Sequence, residues 1–94
     1  MRTGQLIAAV IERKIVSAIR SKGGLCLKWV SPGFNGVPDR IAVLPGGRIL
    51  FIEVKRPDHK GRLAERQKRV GDLLRMLGCT VITAESLEDL DGYI

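Results

Sequence analysis

Asp39-Arg40-Ile41-Ala42-Val43-Leu44-Pro45-Gly46-Gly47-Arg48-Ile49-Leu50-Phe51-Ile52-Glu53-Val54-Lys55 consists of two apolar, β-branched runs separated by a Pro-Gly-Gly breaker. Such runs read as strands over 40–44 and 48–55, and the breaker as a tight hairpin turn. Strand side chains alternate between the two faces, so Ile49, Phe51, Glu53 and Lys55 share one face and Leu50, Ile52 and Val54 the other. A strand that is apolar on both faces is covered on both sides, and a charged pair at the end of one calls for a reason. With a three-residue turn, Leu44 pairs with Arg48, Val43 with Ile49 and Ile41 with Phe51, and Asp39 falls opposite Glu53. A turn of two or four residues shifts the pairing by one and sets Asp39 against Val54.

On either side of the ribbon the chain is readable in the same terms. Thr3 can cap a helix over 4–21, with Ile7, Ile11, Ile15 and Ala18 as its apolar stripe and Gly23-Gly24 as its stop. Residues 25–30 read as a strand with Leu25, Leu27 and Trp29 on one face, and 31–38 as a breaker-rich loop leading into Asp39. Phe34, at the tip of that loop, reads as a core or dimer contact ahead of a wedge against a base. After a polar loop over 56–62, a helix over 63–77 is closed by Gly78, and 79–84 forms a fourth strand. Ser86-Leu87-Glu88-Asp89 resembles a capping box opening a last short helix. The order is α-β-β-β-α-β. This predicts an α/β fold with a mixed sheet, because the hairpin is antiparallel and the later helix is a crossover.

Ninety-four residues with 45% hydrophobic content make one domain, 1–94, with a thin core. No apolar run approaches the ~18–20 residues that cross a bilayer. The first residues also lack an uncharged segment followed by a cleavage site, so a cytoplasmic protein of a bacterial or phage-infected cell is expected. Cys26 and Cys79 sit apart in apolar runs and read as reduced core thiols. Sixteen Lys and Arg against ten Asp and Glu leave a net charge of +6, which points to a polyanion partner. Seven of the cations fall between Lys55 and Arg69, whereas the charged residues of 85–91 are all acidic. Arg56, Lys60, Arg62, Arg66 and Arg69 are the candidate phosphate contacts. A merely solvated helix face is the alternative.

Opposed residues on one face of a hairpin lie ~4.5–5.5 Å apart at Cβ. Two carboxylates that close repel, and one holds its proton unless a cation intervenes. Mg²⁺ or Mn²⁺, hard ions with oxygen ligands, resolve that conflict and lower the pKa of a bound water. Lys55 on the same face could orient that water or neutralise charge at a phosphorus centre. Phosphodiester hydrolysis is the chemistry that follows. The alternative is a surface ion pair between Glu53 and Lys55. Gln67 is the polar exception on the stripe Leu63, Gln67, Val70, Leu74 and Leu77, either buried against the sheet or at its boundary. Glu12 lies at the edge of the first helix's stripe, pointing to the site or solvated near Arg13 or Lys14.

Glu12, Gly36-Val37-Pro38-Asp39, Glu53-Val54-Lys55 and Gln67, in this order on this element pattern, resemble the PD-(D/E)xK nuclease superfamily and, within it, the VRR-NUC family of virus-type replication and repair nucleases. The resemblance spans nearly the whole chain and implies a restriction-endonuclease-like core. It further implies metal-dependent cleavage of structured DNA by a Holliday-junction-resolvase-like homodimer. It makes Asp39, Glu53 and the backbone carbonyl of Val54 the metal ligands and Lys55 the catalytic lysine. Glu12 would reach the metal through water, and Gln67 would steady Lys55 or the attacking water. A non-catalytic nucleic-acid-binding module, or a scaffold subunit with a nuclease-like fold, remains the competing reading.

Overall fold

The computed structural model describes residues 3–56 and 65–94. It contains α1 (Thr3–Ser21), β1 (Leu25–Lys28), β2 (Arg40–Leu44), β3 (Arg48–Val54), α2 (Glu65–Met76), β4 (Thr80–Ala84) and a terminal 3-10 turn, Leu87–Leu90. The order is the expected one, with differences only at element ends. Ser86 and Asp89 form the expected capping box, in which Asp89 Oδ2 accepts the Ser86 N–H at 3.3 Å and the Glu85 N–H at 2.8 Å.

The sheet runs β1-β2-β3-β4. β1, β2 and β3 are antiparallel neighbours, and β4 lies parallel to β3, so the sheet is mixed. The ribbon turns on Pro45-Gly46-Gly47, where Gly46 and Gly47 both hold positive φ and the Gly47 N–H donates to the Leu44 carbonyl at 3.1 Å. A side chain at either position would be strained. This compact turn sets the three-residue register.

One face of the sheet is the core. Ile15 and Ile19 of α1 pack on Cys26, Ala42, Leu44, Leu50, Ile52, Ile82 and Ala84, with Leu90 of the terminal turn closing the end. The helix stripe is displaced from the expected one: Ile19 is fully buried, Ala18 only half-buried and Ile7 exposed. Leu6, like Ile7, is exposed, and the buried ridge steps by four residues toward the Gly23-Gly24 stop. The face of β1 also differs from expectation. Cys26 points into the core, while Leu25 and Leu27 are 61% and 49% exposed. The reason is position. β1 is an edge strand, and the second layer, α2, packs over β4 at the opposite edge. Trp29 is half-buried, its ring tilted against Phe51 with centroids 5.3 Å apart. Cys26 is buried, Cys79 half-buried, and both are free thiols. No helix among the described residues is long and apolar enough to cross a membrane.

Candidate active site

The site lies where β2 and β3 end side by side. Leu44 pairs with Arg48, Val43 with Ile49, Ile41 with Phe51 and Arg40 with Ile52. One further step sets Asp39 opposite Glu53, as the three-residue turn predicts. Asp39 is held twice. Its carbonyl accepts the Trp29 N–H at 3.0 Å, and its Oδ2 accepts the Val54 N–H at 2.8 Å. The carboxylate therefore satisfies a backbone donor at the very end of the hairpin ladder.

Glu53 is only 6% exposed and is the buried charged residue of the sheet. Its pKa is pushed up to about 8, first by burial, then by the charge of Asp39 and a side-chain hydrogen bond with it, with a smaller contribution from Glu12. Lys55 pulls in the opposite direction. Gln67 Nε2 donates to Glu53 Oε1 at 3.1 Å. The hydrogen bond runs from α2 to the acid two residues before Lys55 on the same strand. Lys55 is half-buried, and its N–H donates to the Ala84 carbonyl at 2.7 Å. Desolvation lowers the pKa of its ammonium, while Glu53, Asp39 and Glu85 hold it up.

Two residues of this neighbourhood escaped the sequence reading. Glu85 follows Ala84, and the parallel pairs Glu53–Thr83 and Val54–Ala84 bring it alongside Lys55. In the sequence it was only part of an acidic tail; the signal was its place one residue past a strand that pairs in parallel with β3. Arg40 donates from Nε to Glu12 Oε2 at 2.7 Å. Glu12 is thus half-buried and paired not with Arg13 or Lys14 but with Arg40 of β2, next to Asp39 in the chain.

The candidate phosphate contacts separate. Arg56 is half-buried next to Lys55. Arg66 is exposed on α2, where its Nε donates to the Asn35 carbonyl at 3.3 Å and its guanidinium lies 5.5 Å from the centre of the Phe34 ring. Lys68 and Arg69 are exposed. Lys60 and Arg62 lie outside the described residues, as does Leu63. Phe34 is 48% exposed and is not a core residue; it borders a cavity of about 460 Å³ that Arg66 and Gln67 also line. Gly36 keeps this loop on α2. Its φ is +89°, and a Cβ there would sit 2.6 Å from Arg66 Cγ and 2.9 Å from the Arg66 carbonyl.

Among the described residues no group of three or more His, Cys, Asp and Glu side chains is gathered as a metal cluster. The donor set is instead a pair of carboxylates, one of them buried, its pKa raised by that burial and by the charge of the other. Such a pair fits a hard divalent ion that keeps most of its waters. Soft or His-rich metal chemistry does not fit these ligands.

No family model matches the chain. A protein of Acyrthosiphon pisum secondary endosymbiont phage 1, named "Putative nuclease p44", is 43% identical over 84 residues, covering 89% of this chain and 87% of its own. A solved structure described as a VRR_NUC domain superposes with a TM-score of 0.83 at 27% identity, covering 90% of each chain.

Proposed function

The chain belongs to the VRR-NUC family of PD-(D/E)xK nucleases, and from that premise we propose that it is a Mg²⁺- or Mn²⁺-dependent endonuclease that hydrolyses phosphodiesters in structured DNA, acting as a Holliday-junction-resolvase-like homodimer in the cytoplasm. The observation that carries this reading is the burial of Glu53 at the end of β3, where the hairpin register brings Asp39 beside it, with Lys55 two residues along the same strand face.

Asp39, Glu53 and the Val54 carbonyl would hold the ion, and Glu12 would approach it through water. When bound, the ion supplies positive charge at a phosphate oxygen and a more acidic water. The rest is the work of this chain's own groups. Gln67 keeps the Glu53 carboxylate turned toward the site through its amide hydrogen bond. Asp39 keeps its carboxylate in place through the Val54 N–H. Lys55 orients the attacking water or offsets the charge that builds on the phosphate oxygens. Its lowered pKa suits the role toward the water, since the ammonium gives up a proton more readily. The exposed cations of α2 position the DNA backbone without reading sequence, which accords with a substrate defined by shape.

The test is a cleavage panel of four-way junction, flap, nicked and linear DNA with Mg²⁺, with Mn²⁺ and with EDTA. Cutting is expected with either ion and none with EDTA, and Asp39→Asn should abolish cutting while DNA binding persists. Undiminished cleavage by that variant removes Asp39 from the ligand set. Absence of cleavage by the wild type on every DNA favours the binding-module reading.

A further inference from the structure

A second cationic surface lies on the face of the sheet opposite α2. Arg13, Ser17 and Arg20 follow one another along α1 at spacings of four and three residues, and so share one side of the helix. With Val16 they line a cavity of about 390 Å³ whose opposite wall is Arg40 of β2. Lys28 pairs with Arg40 across β1 and β2 and shares the strand face of buried Cys26, so it adds a fourth cation beside the same groove. The acid facing these groups is Glu12, and it is committed to Arg40. Among the described residues Arg13, Arg20 and Lys28 have no carboxylate partner. Gathering like charges around one concavity is unfavourable in the free protein, and an anion laid along it relieves the repulsion.

The groove meets the candidate site at one point. Arg40 directly follows Asp39 in the chain, and its partner Glu12 is close enough to raise the pKa of Glu53. A separate group of exposed cations, Arg66, Lys68 and Arg69, is on α2, which packs on the opposite side of the sheet: a Cβ on Gly71 of α2 would meet Val81, whose β4 neighbours Ile82 and Ala84 point into the α1 core. Two basic strips thus flank the acids on opposite faces of a molecule 24 Å across its shortest axis. A straight duplex lying along one strip leaves the other unoccupied. We propose that Arg13, Arg20, Lys28 and Arg40 form a phosphodiester-binding groove for a second arm of a branched DNA whose first arm lies along α2. This assignment rests on the nuclease reading and narrows its substrate class to DNA with two diverging helices at the cut.

The test is binding in EDTA, where no cleavage occurs, measured against salt for a four-way junction and for a linear duplex. Arg13→Ala and Arg20→Ala are exposed helix positions where alanine is favourable, so folding should be kept, which thermal melts verify. Each phosphate contact contributes ~0.9 to the slope of log affinity against log salt. Each substitution is present in both protomers of the proposed dimer, so the expected result is a fall of about two in the junction slope for each variant and about four for the pair. The linear duplex should lose less than half as much. An unchanged junction slope overturns the groove, and equal losses on both DNAs overturn its assignment to a second arm. Failure of the nuclease reading has a different signature: a wild type that binds junctions with these slopes yet cuts nothing in Mn²⁺. A wild type that binds neither DNA overturns both.

Discussion

Glu53 holds a proton that an exposed glutamate would have lost. Its folded pKa of about 8 stands above the unfolded value of 4.5. Between those limits the folded state binds more protons than the unfolded one, so stability falls as pH rises. The contribution is complete below pH 4.5 and gone above about 8. Metal-free protein should therefore lose on the order of a few kcal/mol from pH 5 to 8.5, with Glu53→Gln flattening the profile in thermal melts. Divalent-ion binding should release a proton below pH 8 and weaken as pH falls, which calorimetry in buffers of different ionisation enthalpy would detect. Asp39 has two functions that its variants can separate. Asparagine keeps an oxygen for the Val54 N–H; alanine leaves that donor unmet at a cost of about 1–3 kcal/mol. Both should be inactive, but only Asp39→Ala should melt lower. The facing of Asp39 and Glu53 was legible because strand period and turn length are local. The Arg40–Glu12 pair, the proximity of Glu85 to Lys55 and the hydrogen bond from Gln67 to Glu53 were not, because each depends on how separate elements stack.

Element boundaries were readable almost throughout, since glycines, prolines and the Ser86–Asp89 box mark them locally. The faces were read less well. Periodicity shows that α1 is amphipathic, but not which end of it lies over the sheet, and the stripe through Ile7 and Ala18 gave way to one ending at Ile19. The difference is measurable. Ile19→Ala should cost about 2–5 kcal/mol, as for other fully buried aliphatic truncations, whereas Ile7→Ala should change stability by roughly 0.5 kcal/mol or less. Comparable losses in denaturant titrations would contradict the observed packing. β1 shows the same limitation: alternation assigned Leu25 and Leu27 to a common face, but only the sheet order reveals that α2 does not reach that edge.

On the scale of the whole molecule, apolar surface is left over. Leu73, Met76 and Leu77 of α2 and its end are 46%, 82% and 81% exposed, and Leu25, Leu27 and Ile49 add to the uncovered total. Apolar exposure of this kind supports the dimer of the proposed function, a partner surface being the usual remedy for a thin core. Sedimentation of the wild type should give a dimer, and Met76→Glu with Leu77→Glu a monomer that still melts cooperatively. On a four-way junction that monomer should nick without paired incision. A wild type that sediments as a monomer at micromolar concentration would remove symmetry from the mechanism. The sequential strand order carries one more consequence, for the history of the fold. The three-strand meander closes over short separations along the chain, whereas β4 joins only after the α2 crossover, a longer and entropically slower closure. By that separation Asp39 and Glu53 should come together in folding before Gln67 and Glu85 arrive, and pulse-labelled hydrogen exchange should protect the β2–β3 ladder ahead of β4.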